Sequence, residues 1–333
     1  MGPAELRQSL SETLAAVARR NRGDQSWVAP RERYGIWHVV RVFLTCVLEG
    51  VCPGTLYERL ELRQGYRRDL TLPNRLISLS QLKKRLRTLT FQRALSEILR
   101  ESARRVLRKL GEEEVRLVAM DLTRLESDPN RDRKGAWGKD SQGFFWGYKL
   151  GLIMSEGGVV LGMTLMKGNW TEIRVGARLL KTASDVIETS LGKLPVQYVL
   201  CDSGFDADCV YEAAHKKIKA RMICPPRRKR NPKAKTARNV VWNGRSRTPS
   251  RERDLPVWES REARELFKKR SGIERLNRQL KDTGIRIAEI PPRWRGVRKL
   301  GFLCLAKLAI YNLILNVNIE QGRPMRQLKV IAA

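Results

Sequence analysis

The sequence predicts a mixed α/β sheet flanked by helices, preceded by a helical N-terminal region, and three observations carry that expectation. Short apolar runs bounded by turn residues alternate with amphipathic stretches from about residue 115 onward. The first 110 residues show helical periodicity instead. Charge divides the chain in the same places. Residues 1–110 carry 22 Lys and Arg against 10 Asp and Glu, residues 111–226 carry 16 against 16, residues 227–253 carry 11 against one, and residues 254–333 carry 17 against 8. A neutral, strand-rich centre lies between basic flanks, and the expected division is a helical region at 1–111 and an α/β region at 112–333 interrupted by a basic insertion at about 225–256.

Taken in order, the helical region holds Ser78 to Arg87, which follows the Pro73-Asn74 breaker and sets Leu79, Leu82, Leu86 and Leu89 at helical spacing. Its other face carries Ser80, Gln81, Lys83, Lys84 and Arg87, residues suited to phosphate and base-edge contacts, or simply to a solvated helix face. A longer helix spans about Phe91 to Leu110. Val115 to Met120 reads as a strand ending at Asp121. Phe144 to Ile153 and Val159 to Met166 read as two strands joined by Glu156-Gly157-Gly158. Thr171 to Ser190 is helical, with Asn169 or Thr171 as its expected cap. Val196 to Cys201 is a strand ending at Asp202. A short helix at Ala207 to Ile218 and a strand at Ala220 to Cys224 follow. Pro225, Pro226, Pro232 and Pro249 mark loops in the basic tract. Helices at about Ser260 to Lys281 and Val297 to Val317 close the chain.

Composition narrows the function. A formal net charge of +31 with 45 Arg and 21 Lys points to a phosphate-bearing partner, because the guanidinium forks onto phosphate oxygens. The six Cys (46, 52, 201, 209, 224 and 304) form no C-x-x-C pair, and the only His are His38 and His215. Zinc spacings are therefore missing, and the thiols read as reduced core residues of a cytoplasmic protein. Residues 1–20 lack a continuous apolar h-region. The most apolar span, Gly301 to Asn318, is interrupted by Lys307, Asn312 and Asn316, which suits a buried helix rather than a membrane crossing. A metal centre here has to be built from carboxylates, which favours Mg²⁺ or Mn²⁺.

Two aspartates stand at the ends of apolar strands, Asp121 in Val118-Ala119-Met120-Asp121-Leu122-Thr123 and Asp202 in Val199-Leu200-Cys201-Asp202-Ser203-Gly204-Phe205. Either alone also reads as an ordinary turn-starting Asp. A third acid, Glu274, lies on the last long amphipathic helix before the apolar one. At about 100° per residue, Phe267, Arg270, Glu274 and Lys281 fall in a stripe roughly 60° wide, beside an apolar face of Leu266, Ile273, Leu276 and Leu280. Ion pairing of Arg270 or Arg278 with Glu274 on an exposed helix is the alternative use of this spacing. Glu259, Glu262 and Glu265 lack it.

The strand order, the three acids and their spacing resemble the ribonuclease-H-like catalytic domain of DDE transposases. The helix resembles the Y-(2)-R-(3)-E-(6)-K signature of the bacterial group called insertion-sequence family four. Arg270-(3)-Glu274-(6)-Lys281 matches, while Phe267 stands where that family has Tyr. Asp121-Leu122-Thr123, Gly147-Tyr148-Lys149-Leu150 and Asp202-Ser203-Gly204-Phe205 are similar to its other blocks, and Leu72-Pro73-Asn74 with the basic helix after it is similar to its DNA-binding region. The resemblance covers roughly residues 50–320.

The resemblance implies that Asp121, Asp202 and Glu274 hold two Mg²⁺ or Mn²⁺ ions, about 3.5–4 Å apart, for strand cleavage and strand transfer. It also implies that Arg270 and Lys281 clamp flanking phosphates. Lys83, Lys84, Arg87 and the insertion residues Arg227, Arg228 and Arg230 are expected to hold DNA. Trp242 either stacks on a distorted base, as in relatives that form hairpin ends, or packs in a strand. The implied partners are the terminal inverted repeats of a mobile element, target DNA and a second copy of the chain, in a nucleoid-associated protein with no membrane. A structure-specific nuclease of the same fold, and a catalytically impaired DNA-binding relative, are the competing readings.

Overall fold

A six-stranded mixed sheet is built around β1 (Leu117–Glu126), in a computed structural model that describes residues 3–21, 35–62, 70, 72, 76–140, 142–226, 248–282, 285–290 and 294–326. β2 (Ala136–Asp140) and β3 (Gly143–Ser155) follow as a hairpin, then β4 (Val160–Lys167). β1 pairs antiparallel with β3 from Val118↔Ser155 to Glu126↔Gly147. β2 takes the first residues of the other edge of β3 and β4 takes the rest. On its far side β1 pairs in parallel with β5 (Tyr198–Leu200), and β5 with β6 (Arg221–Ile223). The strand order is β2-β3-β1-β5-β6, with β4 also on β3.

The burial of β1 changes along its length in step with this pairing. Residues 117–121 are buried on both faces, where β1 is flanked by β5 and β3, and burial then alternates to Glu126. The run of apolar residues read as ending at Asp121 is therefore only the first half of a ten-residue strand. Leu122, Thr123 and Leu125 continue it because β3 still offers partners. Gly147 is demanded by the same pairing. Its φ is 147°, and a Cβ there would collide with the Leu125 carbonyl oxygen.

The described chain divides into two compact units, residues 107–281 and residues 1–106 with 282–333. In the sheet unit, α6 (Ile173–Leu191) packs on β3 and β4, burying Val175, Leu179, Leu180, Ala183, Val186 and Ile187, and Gly192 ends it in the left-handed conformation. α7 (Asp208–Ala213) continues into a π-turn at 214–218. α8 (Pro249–Glu259), α9 (Arg261–Lys268) and α10 (Arg270–Asp282) complete the unit.

In the other unit, α1 (Pro3–Arg20), α2 (Ile36–Leu48), α3 (Pro53–Leu62), α4 (Leu79–Arg85), α5 (Leu89–Leu110, to Val106) and α11 (Val297–Glu320) are all helical, as the periodicity predicts. Their core holds Phe43, Phe91 and Phe302, with edge-on rings 5.2–5.3 Å apart. α11 is long and apolar enough to cross a membrane by length and composition, yet it is buried almost throughout from Leu300 to Asn318. Asn312 and Asn316 donate to Ser102 and Ser9, so its polar interruptions are internal hydrogen bonds.

Several local expectations are corrected. β2 has no apolar pattern to reveal it: Ala-Trp-Gly-Lys-Asp is poor in strand formers, and only its place opposite Phe144–Gly147 makes it extended. Leu89 opens α5 and is 65% exposed instead of facing the core with Leu82. Pro249, read as a loop marker, occupies the first turn of α8, where its missing N–H costs nothing. The helix expected from Ser260 to Lys281 breaks at Lys269, where the N–H groups of Lys269 and Gly272 reach back three residues rather than four. Glu172 is the N-cap of α6 with no side-chain cap bond, so neither Asn169 nor Thr171 caps it. Among the thiols, Cys209 is exposed and Cys52 half-buried, while the other four are buried.

Candidate active site

The parallel register brings the first two acids together. Ala119 pairs with Leu200, the last pair of the β1–β5 ladder. Asp121 and Asp202 each lie two residues beyond it, at the point where β5 leaves the sheet and β1 runs on. Neighbouring strands lie about 4.8 Å apart, so the register makes these aspartates neighbours although they are far apart in sequence. Asp202 caps a 3₁₀ turn at Ser203–Phe205, accepting from the Gly204 N–H at 2.9 Å. Gly204 belongs there because a Cβ would press on Asp202 Oδ1 and Glu172.

α10 supplies the rest. Ile273, Leu276 and Leu280 are 5%, 2% and 1% exposed and anchor the helix. Its polar border faces the aspartates. Arg270 is the hub: its Nη2 lies 3.2 Å from Asp121 Oδ1 and 4.0 Å from Asp202 Oδ2, and its Nη1 lies 3.0 Å from Glu274 Oε1. All three predicted acids therefore converge on one guanidinium. Phe267, a half-buried ring between Trp258 and Arg270, lies 5.6 Å from the guanidinium carbon.

Asn277, which the sequence pattern does not single out, completes the site. It is buried, and its Nδ2 donates to Asp121 Oδ2 at 2.5 Å. The one signal it offers is its helical angle, which falls between the Arg270–Glu274–Lys281 stripe and the apolar face. Arg270 Nε and Asn277 Oδ1 are both buried without a hydrogen-bond partner. Each such group costs about 1–3 kcal/mol.

Electrostatics sets Asp121 apart. Burial lifts its carboxyl above the usual carboxylate range and Asp202 adds to the lift, while Arg270 and Asn277 act against it. Behind Asp202, the Cys224 thiol donates to the Asp202 carbonyl at 3.1 Å. Burial, with Cys224 adjacent, pushes the Cys201 thiol up.

Among the described residues, no three His, Cys, Asp or Glu side chains close on one point tightly enough to hold an ion. The three carboxylates are spread around Arg270, whose guanidinium stands in for a cation between them. Carboxylate oxygen is the donor chemistry that Mg²⁺ or Mn²⁺ takes, and an ion held here would need the three acids to close in on it.

The other predicted residues fall as follows. Lys281 lies at the C-terminal end of α10, and Lys83, Lys84 and Arg87 are exposed at and just after the end of α4, in the helical unit. Arg227, Arg228, Arg230 and Trp242 lie outside the described residues. Lys149 is buried and bonded to Glu172 at 3.2 Å, and Tyr148 donates to the buried Asp132 at 2.8 Å.

No curated protein and no solved structure matches the chain. A model of one family, described as a transposase DDE domain, matches residues 113–313, well over half of the sequence. That span begins just before β1, contains both aspartates and α10, and runs into α11. The chain belongs to the transposase DDE domain family.

Proposed function

We propose that the chain is a DNA transposase of insertion-sequence family four, Y-R-E-K type, with Asp121, Asp202 and Glu274 as its metal-binding acids. The observation that carries this is the convergence of the three acids on Arg270, two of them brought into register by the β1–β5 ladder. Divalent ions held there supply Lewis acidity to a phosphodiester and lower the pKa of a bound hydroxyl.

The chain's own residues do the rest. Asn277 holds Asp121 in one orientation. Arg270 neutralises the acids in the absence of ions, and on release it reaches a flanking phosphate, as Lys281 does from the same helix. The basic helices of residues 1–111 and the insertion at about 225–256 hold the DNA, namely the ends of a mobile element and its target. A second copy of the chain joins in the synaptic complex, at the nucleoid.

The test uses full-length Asp121→Ala, Asp202→Ala and Glu274→Ala proteins on linear DNA carrying the element's own ends. Each variant loses Mg²⁺-dependent strand cleavage while keeping salt-sensitive DNA binding. Wild-type cleavage by Glu274→Ala would remove Glu274 from the site. A labelled 3′-hydroxyl end that is joined to target separates a transposase from a nuclease, which gives cut product alone.

A further inference from the structure

Strand pairing places a second surface on the sheet face that carries Asp121. Directly opposed residues of an antiparallel pair share a face, and alternate residues return to it. Asp121 stands opposite Leu152, so Leu150, Tyr148, Trp146 and Phe144 follow on that face of β3. Opposite the last two lie Trp137 and Lys139 of β2. Along this line the face passes from core to surface. Tyr148 is fully buried, whereas Trp137 is 59% and Phe144 73% exposed.

Core packing does not account for these rings. The opposite face of the hairpin is closed by Phe145 against Gly138, where a Cβ would not fit. Lys139 Nζ lies 4.8 Å from the Phe144 ring centre, and Trp137 meets Trp146 edge-on at 5.6 Å. The hairpin is braced, because Trp146 Nε1 donates to the Asp132 carbonyl and Tyr148 to the Asp132 carboxylate, each at 2.8 Å. The same loop presents exposed Arg133 and Lys134. Rigid exposed rings interleaved with cations are the makeup of surfaces that stack bases while holding phosphates.

We infer that the β2–β3 hairpin is a stacking platform for unpaired nucleotides of the DNA strand leading away from the carboxylates. This deepens the function proposed above and rests on it. From Leu152 to Trp146 and Phe144 is roughly six to eight residues at about 3.4 Å each, or ~20–27 Å. At about 3.4 Å per stacked nucleotide, and more for an extended one, a strand lying along β3 reaches the rings within about six to eight nucleotides of the reacting phosphate. Paired bases hide their faces in the duplex stack, so the rings select a strand whose bases are unpaired there.

The experiment measures binding of the full-length protein to two oligonucleotides of one sequence by fluorescence anisotropy. One is a duplex of about 30 base pairs, three or so turns of B-DNA; the other carries an unpaired tract six to eight nucleotides from a 3′ end, with 2-aminopurine inside it. The double variant Trp137→Ala/Phe144→Ala is expected to bind the unpaired-tract probe about fivefold or more weakly than wild type, keep wild-type affinity for the duplex, and lose the 2-aminopurine quenching. Trp137→Phe/Phe144→Tyr restores the tract affinity and the quenching, which separates stacking from misfolding. Lys139→Gln lowers the salt slope by about one. Equal affinity of the alanine variant and wild type for the tract, or an equal loss on both probes, overturns the platform. Dissociation of a wild-type dimer by the alanine variant, seen by sedimentation, also overturns it and gives the rings to a contact between copies. A wild-type protein that binds neither probe fails the parent reading instead.

Discussion

Asn277 Nδ2 lies 2.5 Å from Asp121 Oδ2, while Arg270 takes the other oxygen at 3.2 Å. Asp121 is thus held through both oxygens by two residues one heptad apart on α10. Groups that orient a ligating carboxylate are typically worth about 10–100-fold in metal affinity. Asn277→Ala is expected to weaken Mn²⁺ binding by the full-length protein about tenfold or more, measured as free Mn²⁺ by electron paramagnetic resonance, with unchanged circular dichroism. Unaltered Mn²⁺ affinity would show that Asn277 only fills space.

The raised pKa of Asp121 makes a stability prediction. A carboxyl that binds its proton more tightly when folded contributes stability below its unfolded pKa, near 3.8, and that contribution is lost as pH rises through the raised native value. Above the raised native value, burying the charged form of Asp121 is therefore a net cost to folding. Asp121→Asn, neutral at every pH, should melt at a higher temperature than wild type at about pH 7, with the gap closing as pH falls towards 3.8. A lower melting temperature for the variant at neutral pH would mean that the missing pairing with Arg270 outweighs the burial.

Arg270 competes for the position that an ion between the acids would take. Without it, Asp121, Asp202 and Glu274 lose the guanidinium that they share. Arg270→Gln is expected to lower the melting temperature in EDTA by several degrees. Saturating Mn²⁺ should then raise it by more than it raises wild type, because the ion no longer displaces a guanidinium. Equal Mn²⁺ shifts in both proteins would place the ion elsewhere.

Phosphate binding has its own signature. Every phosphate that the protein ceases to neutralise reduces the slope of log K against log salt by about 0.9. Lys281→Gln is expected to weaken duplex binding and lower the slope by about one, and Lys83→Gln/Lys84→Gln by about two. Binding curves at several salt concentrations decide this, and a residue whose removal leaves the slope unchanged does not touch phosphate.

Much of this site is legible in the sequence because its residues sit at fixed points of periodic patterns. Asp121 and Asp202 follow strand-like runs, and Glu274 falls on a polar stripe beside Ile273, Leu276 and Leu280. What periodicity does not carry is pairing. The place of Asp121 in the middle of β1 depends on how far β3 extends, and β2 is a strand only because β3 turns back on it. The pairing of Arg270 with Glu274 is legible in their i,i+4 spacing, whereas its reach to Asp121 and Asp202 depends on how α10 sits on the sheet. Asn277 is hidden because one polar residue at the edge of an apolar face has no distinctive spacing.

Arg251 shows the same limit. It belongs to a basic run that reads as DNA-facing, yet it is buried, with Nη2 at 2.9 and 3.0 Å from the two carboxylate oxygens of Asp206. Asp206 follows the Ser203–Phe205 turn that Asp202 caps, so this pair fastens α8 to the segment carrying the second acid. Removing one partner of a buried pair leaves a stranded charge and costs about 3–5 kcal/mol. Arg251→Ala should therefore lower unfolding free energy by about that amount in urea titration. Arg251→Met with Asp206→Leu, which removes both charges and keeps volume, should recover most of the loss. A loss under about 1 kcal/mol for Arg251→Ala would mean that Asp206 finds water or another cation, and that Arg251 is available to DNA.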